Sequence, residues 1–202
     1  MGSLIGGLYA SGMTPAELEE MVTTIDWMEL MDDGIMRQDR SFRRKLDDQK
    51  ALAPARPGVG KSGLKLPAGV KTGEKILMFL ENKTGKAAGV TDFNLLSIPY
   101  RAVATDINTG KAVVIGSGNL ATAMRASMAI PGAFTPVDID GKLLVDGGMV
   151  NQVPVDVVRA MGADIVIAVD VGTPLGEIDS TTNLLKIADQ VIGFLTVGNT
   201  ED

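Results

Sequence analysis

The chain of 202 residues contains neither cysteine nor histidine. Without cysteine there are no disulfides, no thiolate nucleophiles and no thiolate metal sites, and either a reducing or an oxidising compartment suits the chain. The missing imidazole excludes more. Ser-His-Asp and Cys-His catalysis and His-ligated zinc are all ruled out, so a general base has to be a carboxylate, a lysine or a tyrosine. No run approaches the roughly 18 consecutive apolar residues of a spanning helix, and residues 1–13 lack the positive lead of a secretory signal. Internal repeats and low-complexity tracts are absent as well.

What remains is ordinary for a soluble α/β domain, with 45% hydrophobic and 22% charged residues. One domain over residues 1–202 is the default. Nineteen basic against twenty-five acidic residues leave a net charge of −6. The one basic cluster, Arg37 to Lys50, is interleaved with Asp39, Asp47 and Asp48, which argues against nucleic acid as a partner.

The segment GSLIGGLYASG is small, apolar and helical from its first residues, with no cap of its own, as if the helix begins upstream. Thr14-Pro15-Ala16-Glu17 reads as a capping box with proline at the first helical position, opening a helix to about Thr23, and another comes over Trp27 to Met31. Residues 32–71 are rich in charge, glycine and proline and read as an irregular surface excursion. A helix over Glu74 to Leu80 comes next. Tyr100 to Asp106 and Lys111 to Ile115 flank Ile107-Asn108-Thr109-Gly110 and predict a hairpin. Asn119 caps a helix to about Met128 that Pro131-Gly132 stops, and Asp140-Gly141 marks a turn before a strand over Lys142 to Val145. Pro154 starts a helix ending near Met161, with Gly162 as its left-handed terminal residue. Ile165 to Val169, an unbroken apolar run, predicts a strand buried on both faces, and the order strand, helix, strand places it parallel to Lys142 to Val145. Asp146 then sits at the carboxyl end of a strand, where open α/β sheets bind ligands. A last helix is expected over Asn183 to Val197.

Three motifs compete for the chemistry. Ala55 to Ser62, ARPGVGKS, resembles a phosphate-binding loop with alanine at its first position. That motif needs a buried strand before it and a helix after it. The charged stretch Arg43 to Lys50 and Pro67 supply neither, so a nucleotide site rests on the Lys61 loop alone. Asp146-Gly147-Gly148 taken alone is an ordinary turn, but at the mouth of a sheet a carboxylate followed by two glycines is a reasonable general base. Gly2 to Gly7, opening a helix, has the character of the stretch just after the serine in a G-x-S-x-G nucleophile elbow, with Met1 as x and Gly2 as the second glycine. None of the chain's own serines has glycine two residues away on both sides. On this reading the nucleophile immediately precedes Met1. Ser127 in ASMAIP is a rival with no spacing that suggests activation. Met31, Met36, Met124, Met128 and Met149 are either an acyl-chain pocket or plain core.

Taken together, MGSLIGGLYASGMTPAELE, IPYRAVATDINTGKAVV and the long block from AMRASMAIPGAF through VDGGMVNQVPVDVVRAMGADIVIAVDVG resemble consecutive blocks of bacterial patatin-like phospholipases. With RSFRRKLDDQ, the similarity points to the exported branch linked to an outer-membrane barrel. The resemblance implies a three-layer α/β/α sandwich with a mainly parallel central sheet, incomplete at its amino end, and a Ser-Asp dyad whose aspartate lies in D-G-[GA], here Asp146, Gly147 and Gly148. It implies hydrolysis of phospholipid or lysophospholipid acyl esters without metal or cofactor, contact with a membrane surface through the substrate, and a bacterial location that is periplasmic, outer-membrane-associated or secreted, otherwise cytoplasmic. The family's glycine-rich oxyanion segment lies upstream of the serine and is not in this sequence, so the 202 residues alone are expected to be inactive. The alternatives are a non-catalytic patatin fragment or lipid- or partner-binding module and, on the Lys61 loop, a nucleotide-binding protein.

Overall fold

The chain enters at once into helix α1 (Gly2–Ala10), whose Leu4, Leu8 and Ala10 are buried. A computed structural model describes residues 2–31, 58–60, 63–65 and 69–171. Helix α2 (Pro15–Thr24) starts as its sequence dictates: the Glu17 amide donates to the Thr14 hydroxyl at 3.3 Å, and the Thr14 amide donates to Glu17 Oε2 at 2.7 Å. That reciprocal cap also holds the Glu17 carboxyl below its ordinary pKa, chiefly through the Thr14 amide. A single turn, α3 (Trp27–Leu30), comes next, capped by Asp26.

Within the predicted excursion, β1 (Gly58–Gly60) pairs antiparallel with β2 (Gly63–Lys65). The glycines of the phosphate-loop resemblance therefore stand in a short ladder, and a strand rather than a helix succeeds them. Lys61 and Ser62 lie outside the described residues, as do most of residues 32–71 and the expected helix over Asn183 to Val197.

A third strand, β3 (Gly69–Lys71), pairs in parallel with β6 (Gly132–Phe134), and between them come α4 (Glu74–Lys83), β4 (Ala102–Asp106), β5 (Lys111–Ile115) and α5 (Leu120–Ser127). Strand β4 is buried along its whole length and forms the middle of a four-stranded sheet with the order β5-β4-β8-β7, where β7 is Val137–Ile139 and β8 is Lys142–Asp146. The β7-β8 hairpin turns on Asp140 at φ 53° and Gly141 at φ 75°, the two left-handed residues that a tight hairpin turn requires. Helix α5, capped by Asn119 through the Thr122 amide at 2.8 Å, lays Ala121, Ala123, Met124 and Ala126 into the core with Ala102, Ala104 and Leu144. Its small side chains let the helix lie close to the sheet. Met124 and Met128 are buried in this core, so they pack the interior rather than line a groove.

Among the described residues the four-stranded sheet is antiparallel throughout, which corrects the expected parallel pairing of Ile165 to Val169 with Lys142 to Val145. Strand β8 has no side left for it. Leu144 is paired with Asp106 of β4 on one flank and Val137 of β7 on the other, both antiparallel. After helix α6 (Val155–Ala160) and Gly162 at φ 93°, residues 165–169 pair with no described strand and leave Ile165, Ile167 and Val169 exposed. An apolar run identifies a segment that wants burial but does not name its partner. The described part is α/β with mixed small sheets; the three-layer arrangement is not traced by these residues.

One packing detail yields a stability test. Arg125 of α5 is 2% exposed; its guanidinium donates to the Thr72 carbonyl at 2.7 Å and stacks on Phe134, 4.7 Å from the ring centre. Gly73, at φ 73°, passes so close that a Cβ there would lie 2.2 Å from Arg125 Nε. Gly73→Ala combines left-handed strain with displacement of a buried cation and is expected to lower stability by about 2 kcal/mol. Urea unfolding followed by circular dichroism measures it, and an unchanged midpoint would show that Arg125 moves aside freely.

Candidate active site

Asp146 is the last residue of β8, where the strand gives way to a tight turn over Gly147–Met149. Three bonds hold it there. Its amide donates to the Ala129 carbonyl at 3.0 Å, its own carbonyl accepts from the Thr105 hydroxyl at 2.9 Å, and its Oδ1 accepts from the Gly148 amide at 2.8 Å. The side chain is half-buried. Burial raises its pKa above the ordinary carboxylate range, opposed by the Gly148 hydrogen bond and by the positive charge of the chain's amino end.

The two glycines after Asp146 face different surroundings. A Cβ on Gly147 would lie 2.2 Å from the Val103 carbonyl oxygen, backbone of the central strand. On Gly148 it would meet the end of the Gln152 side chain, Oε1, at 2.2 Å and Asp146 Oδ1 at 3.1 Å. Only the first obstacle is fixed.

Helix α1 is fastened to the same part of the fold and packs on β4 and α5. The Tyr100 hydroxyl, just ahead of β4, donates to the Ser3 carbonyl at 3.0 Å and shares a 2.7 Å bond with the Ser3 hydroxyl. Burial pushes the Tyr100 phenol up to about 12, so it is neutral and serves as a structural tie rather than a base. Gly7 leaves room for Met124, whose Sδ stands 2.3 Å from where a Gly7 Cβ would be. Gly2 opens the helix, exposed, with nothing crowding it. Ser127 is the half-buried last residue of α5, and nothing in its surroundings marks it as an activated nucleophile.

Sequence reasoning singled out Asp146, Gly147, Gly148 and Gly2. It did not find Thr105, Ala129 or Tyr100, which hold the turn and the helix. Thr105 sits in AVATD, a pattern any buried strand could show, and a bond accepted by a main-chain carbonyl such as Ala129 leaves no trace in residue type. Among the described residues no group of three or more acidic side chains could hold a metal ion, and no helix is long and apolar enough to cross a membrane.

The structure places a half-buried carboxylate at a strand end, with Gly2 exposed at the start of a helix that packs on the neighbouring strand β4. Residues 1–159 match the family described as patatin-like phospholipase. The chain belongs to that family. An uncharacterized NTE family protein of Mycobacterium tuberculosis is 34% identical over 169 residues, covering 84% of this chain and 38% of that protein. Patatin-like phospholipase domain-containing protein 7 of Mus musculus is 46% identical over 101 residues, 49% of this chain and 7% of its own length. A patatin-like phospholipase domain-containing protein of Caenorhabditis elegans is 34% identical over 196 residues, 96% of this chain and 12% of its own. The patatin-like chain thus spans well under half the length of these relatives.

Proposed function

We propose that this patatin-like domain is the aspartate-bearing part of a lipid acyl hydrolase, working on phospholipid or lysophospholipid esters through a Ser-Asp dyad whose serine is supplied immediately ahead of residue 1. The observation that carries the reading is the half-buried Asp146 carboxylate, held by the Gly148 amide at the end of a strand whose neighbour β4 also packs against helix α1. In this scheme the serine Oγ attacks the ester carbonyl carbon while Asp146 accepts its proton. The tetrahedral oxyanion is held by backbone amides of an upstream glycine-rich segment, worth about 3–4 kcal/mol for a donor in serine hydrolases generally. Collapse breaks the ester C–O bond, the leaving alcohol takes the proton from Asp146, and an acyl-serine remains. Water then attacks the acyl carbon while Asp146 accepts its proton, the bond from that carbon to serine Oγ breaks, and the proton passes from Asp146 to Oγ, which frees the fatty acid and restores both residues. The membrane surface enters as the place where the substrate is met.

A fluorophosphonate probe separates this from a non-catalytic module. The 202-residue chain is expected to stay unlabelled, whereas the extended chain, carrying its natural upstream residues, is expected to be labelled at the serine before residue 1 and to hydrolyse a lysophospholipid. Labelling of Ser127, or an extended chain that neither labels nor hydrolyses, would remove the proposal.

A further inference from the structure

We propose that Thr105 is a positioning residue for Asp146, acting through the main chain of the turn that carries the carboxylate; the inference rests on the Ser-Asp reading above. Thr105 lies on the central strand, 3% exposed, and its register partner is Val145, the residue before Asp146. If this position only filled core, valine would have the same shape without a polar atom to satisfy. The hydroxyl instead crosses to the next strand and donates to the Asp146 carbonyl at 2.9 Å, at the point where β8 leaves the ladder for the Gly147–Met149 turn. The other two bonds on Asp146, from its amide to Ala129 and to its Oδ1 from Gly148, are made by main-chain groups and do not depend on which side chains those partners carry. Thr105 adds a side-chain clamp on the carbonyl of the Asp146–Gly147 peptide, the unit through which the chain enters the turn that brings the Gly148 amide back to Asp146 Oδ1. Holding that peptide fixes where the carboxylate points.

The clamp predicts a loss in turnover without a loss in substrate binding. In the extended chain, Thr105→Val is expected to lower kcat by about 10- to 100-fold, the penalty of a displaced catalytic group, with KM and Tm nearly unchanged. Thr105→Ser, which keeps the hydroxyl, is expected to restore most of it. Because the residue acts through Asp146, adding Thr105→Val to Asp146→Asn should cost little more. In the 202-residue chain itself, hydrogen exchange at the Gly148 amide should speed up in Thr105→Val and stay as it was in Thr105→Ser. Wild-type kcat and wild-type Gly148 exchange in Thr105→Val would overturn the inference, as would a loss that serine does not rescue. If Asp146→Asn keeps full activity the dyad reading fails instead, and the Gly148 exchange still decides whether Thr105 holds the turn.

Discussion

Asp146→Asn in the extended chain is expected to lose acyl hydrolysis by about 10²–10⁴-fold while folding at least as well as the parent, because a general base typically contributes that much. Asparagine has nearly the same shape, and its Oδ1 can still accept the Gly148 amide. What it cannot do is take the serine proton, and with no histidine in these 202 residues no imidazole stands ready to replace it. Stability should move the other way. Burial raises the Asp146 pKa in the folded chain, so the ionised carboxylate opposes folding. That penalty is absent below the ordinary carboxylate pKa of the unfolded chain, near 4, and complete once the pH has risen through the folded value. The variant should therefore melt at or above the parent temperature at pH 7, with the difference closing toward about pH 3. The parent's own rate should fall on the acid side at a pH above the ordinary carboxylate range, since only ionised Asp146 accepts a proton. Turnover on a lysophospholipid, with melting curves at both pH values, measures all three. Full activity with an unchanged acid limb would mean that another group is the base.

Much of this arrangement is legible in the residues because it is local. Thr14 with Glu17, Asn119 ahead of α5 and Gly110 between β4 and β5 each set their element through contacts within a few positions, and all three form as read. The placement of Asp146 at a strand end comes in the same way from Lys142 to Val145 ahead of it and Gly147-Gly148 behind it. What the residues do not state is which strand lies beside which. The apolar run at Ile165 to Val169 invites a parallel pairing with β8, but that flank belongs to β7, a three-residue strand whose hairpin turn is visible at Asp140-Gly141 while its first strand is too short to show a period. The groups that support the carboxylate are hidden for a related reason. Thr105 meets Asp146 across 41 positions of sequence, and a threonine in a strand is ordinary until its hydroxyl is seen to cross to the next one.

The two glycines of the D-G-G sequence should respond to alanine in opposite ways. At Gly147 the new Cβ would lie 2.2 Å from the Val103 carbonyl oxygen and 2.6 Å from its carbon, both backbone of β4. That strand is paired on both sides, to β5 and to β8, so it cannot retreat without loosening a ladder. Relief has to come from moving the turn, which drags Asp146 with it. Gly147→Ala is expected to cost about 3 kcal/mol, the upper range for overpacking a closed site. In the extended chain a shift of about 1 Å in the carboxylate would add a loss near 10²-fold in rate. At Gly148 the nearest obstacle is the end of Gln152, which can rotate away, and Asp146 Oδ1 at 3.1 Å needs to give only a few tenths of an ångström. Gly148→Ala should therefore stay within about 1 kcal/mol of the parent, as volume changes that a flexible neighbour absorbs usually do. Urea unfolding of both variants in the 202-residue chain, and turnover of both in the extended chain, make the comparison. Equal losses at the two positions would show that the Val103 backbone is not the constraint, and the turn's fixed seat against β4 would have to be given up.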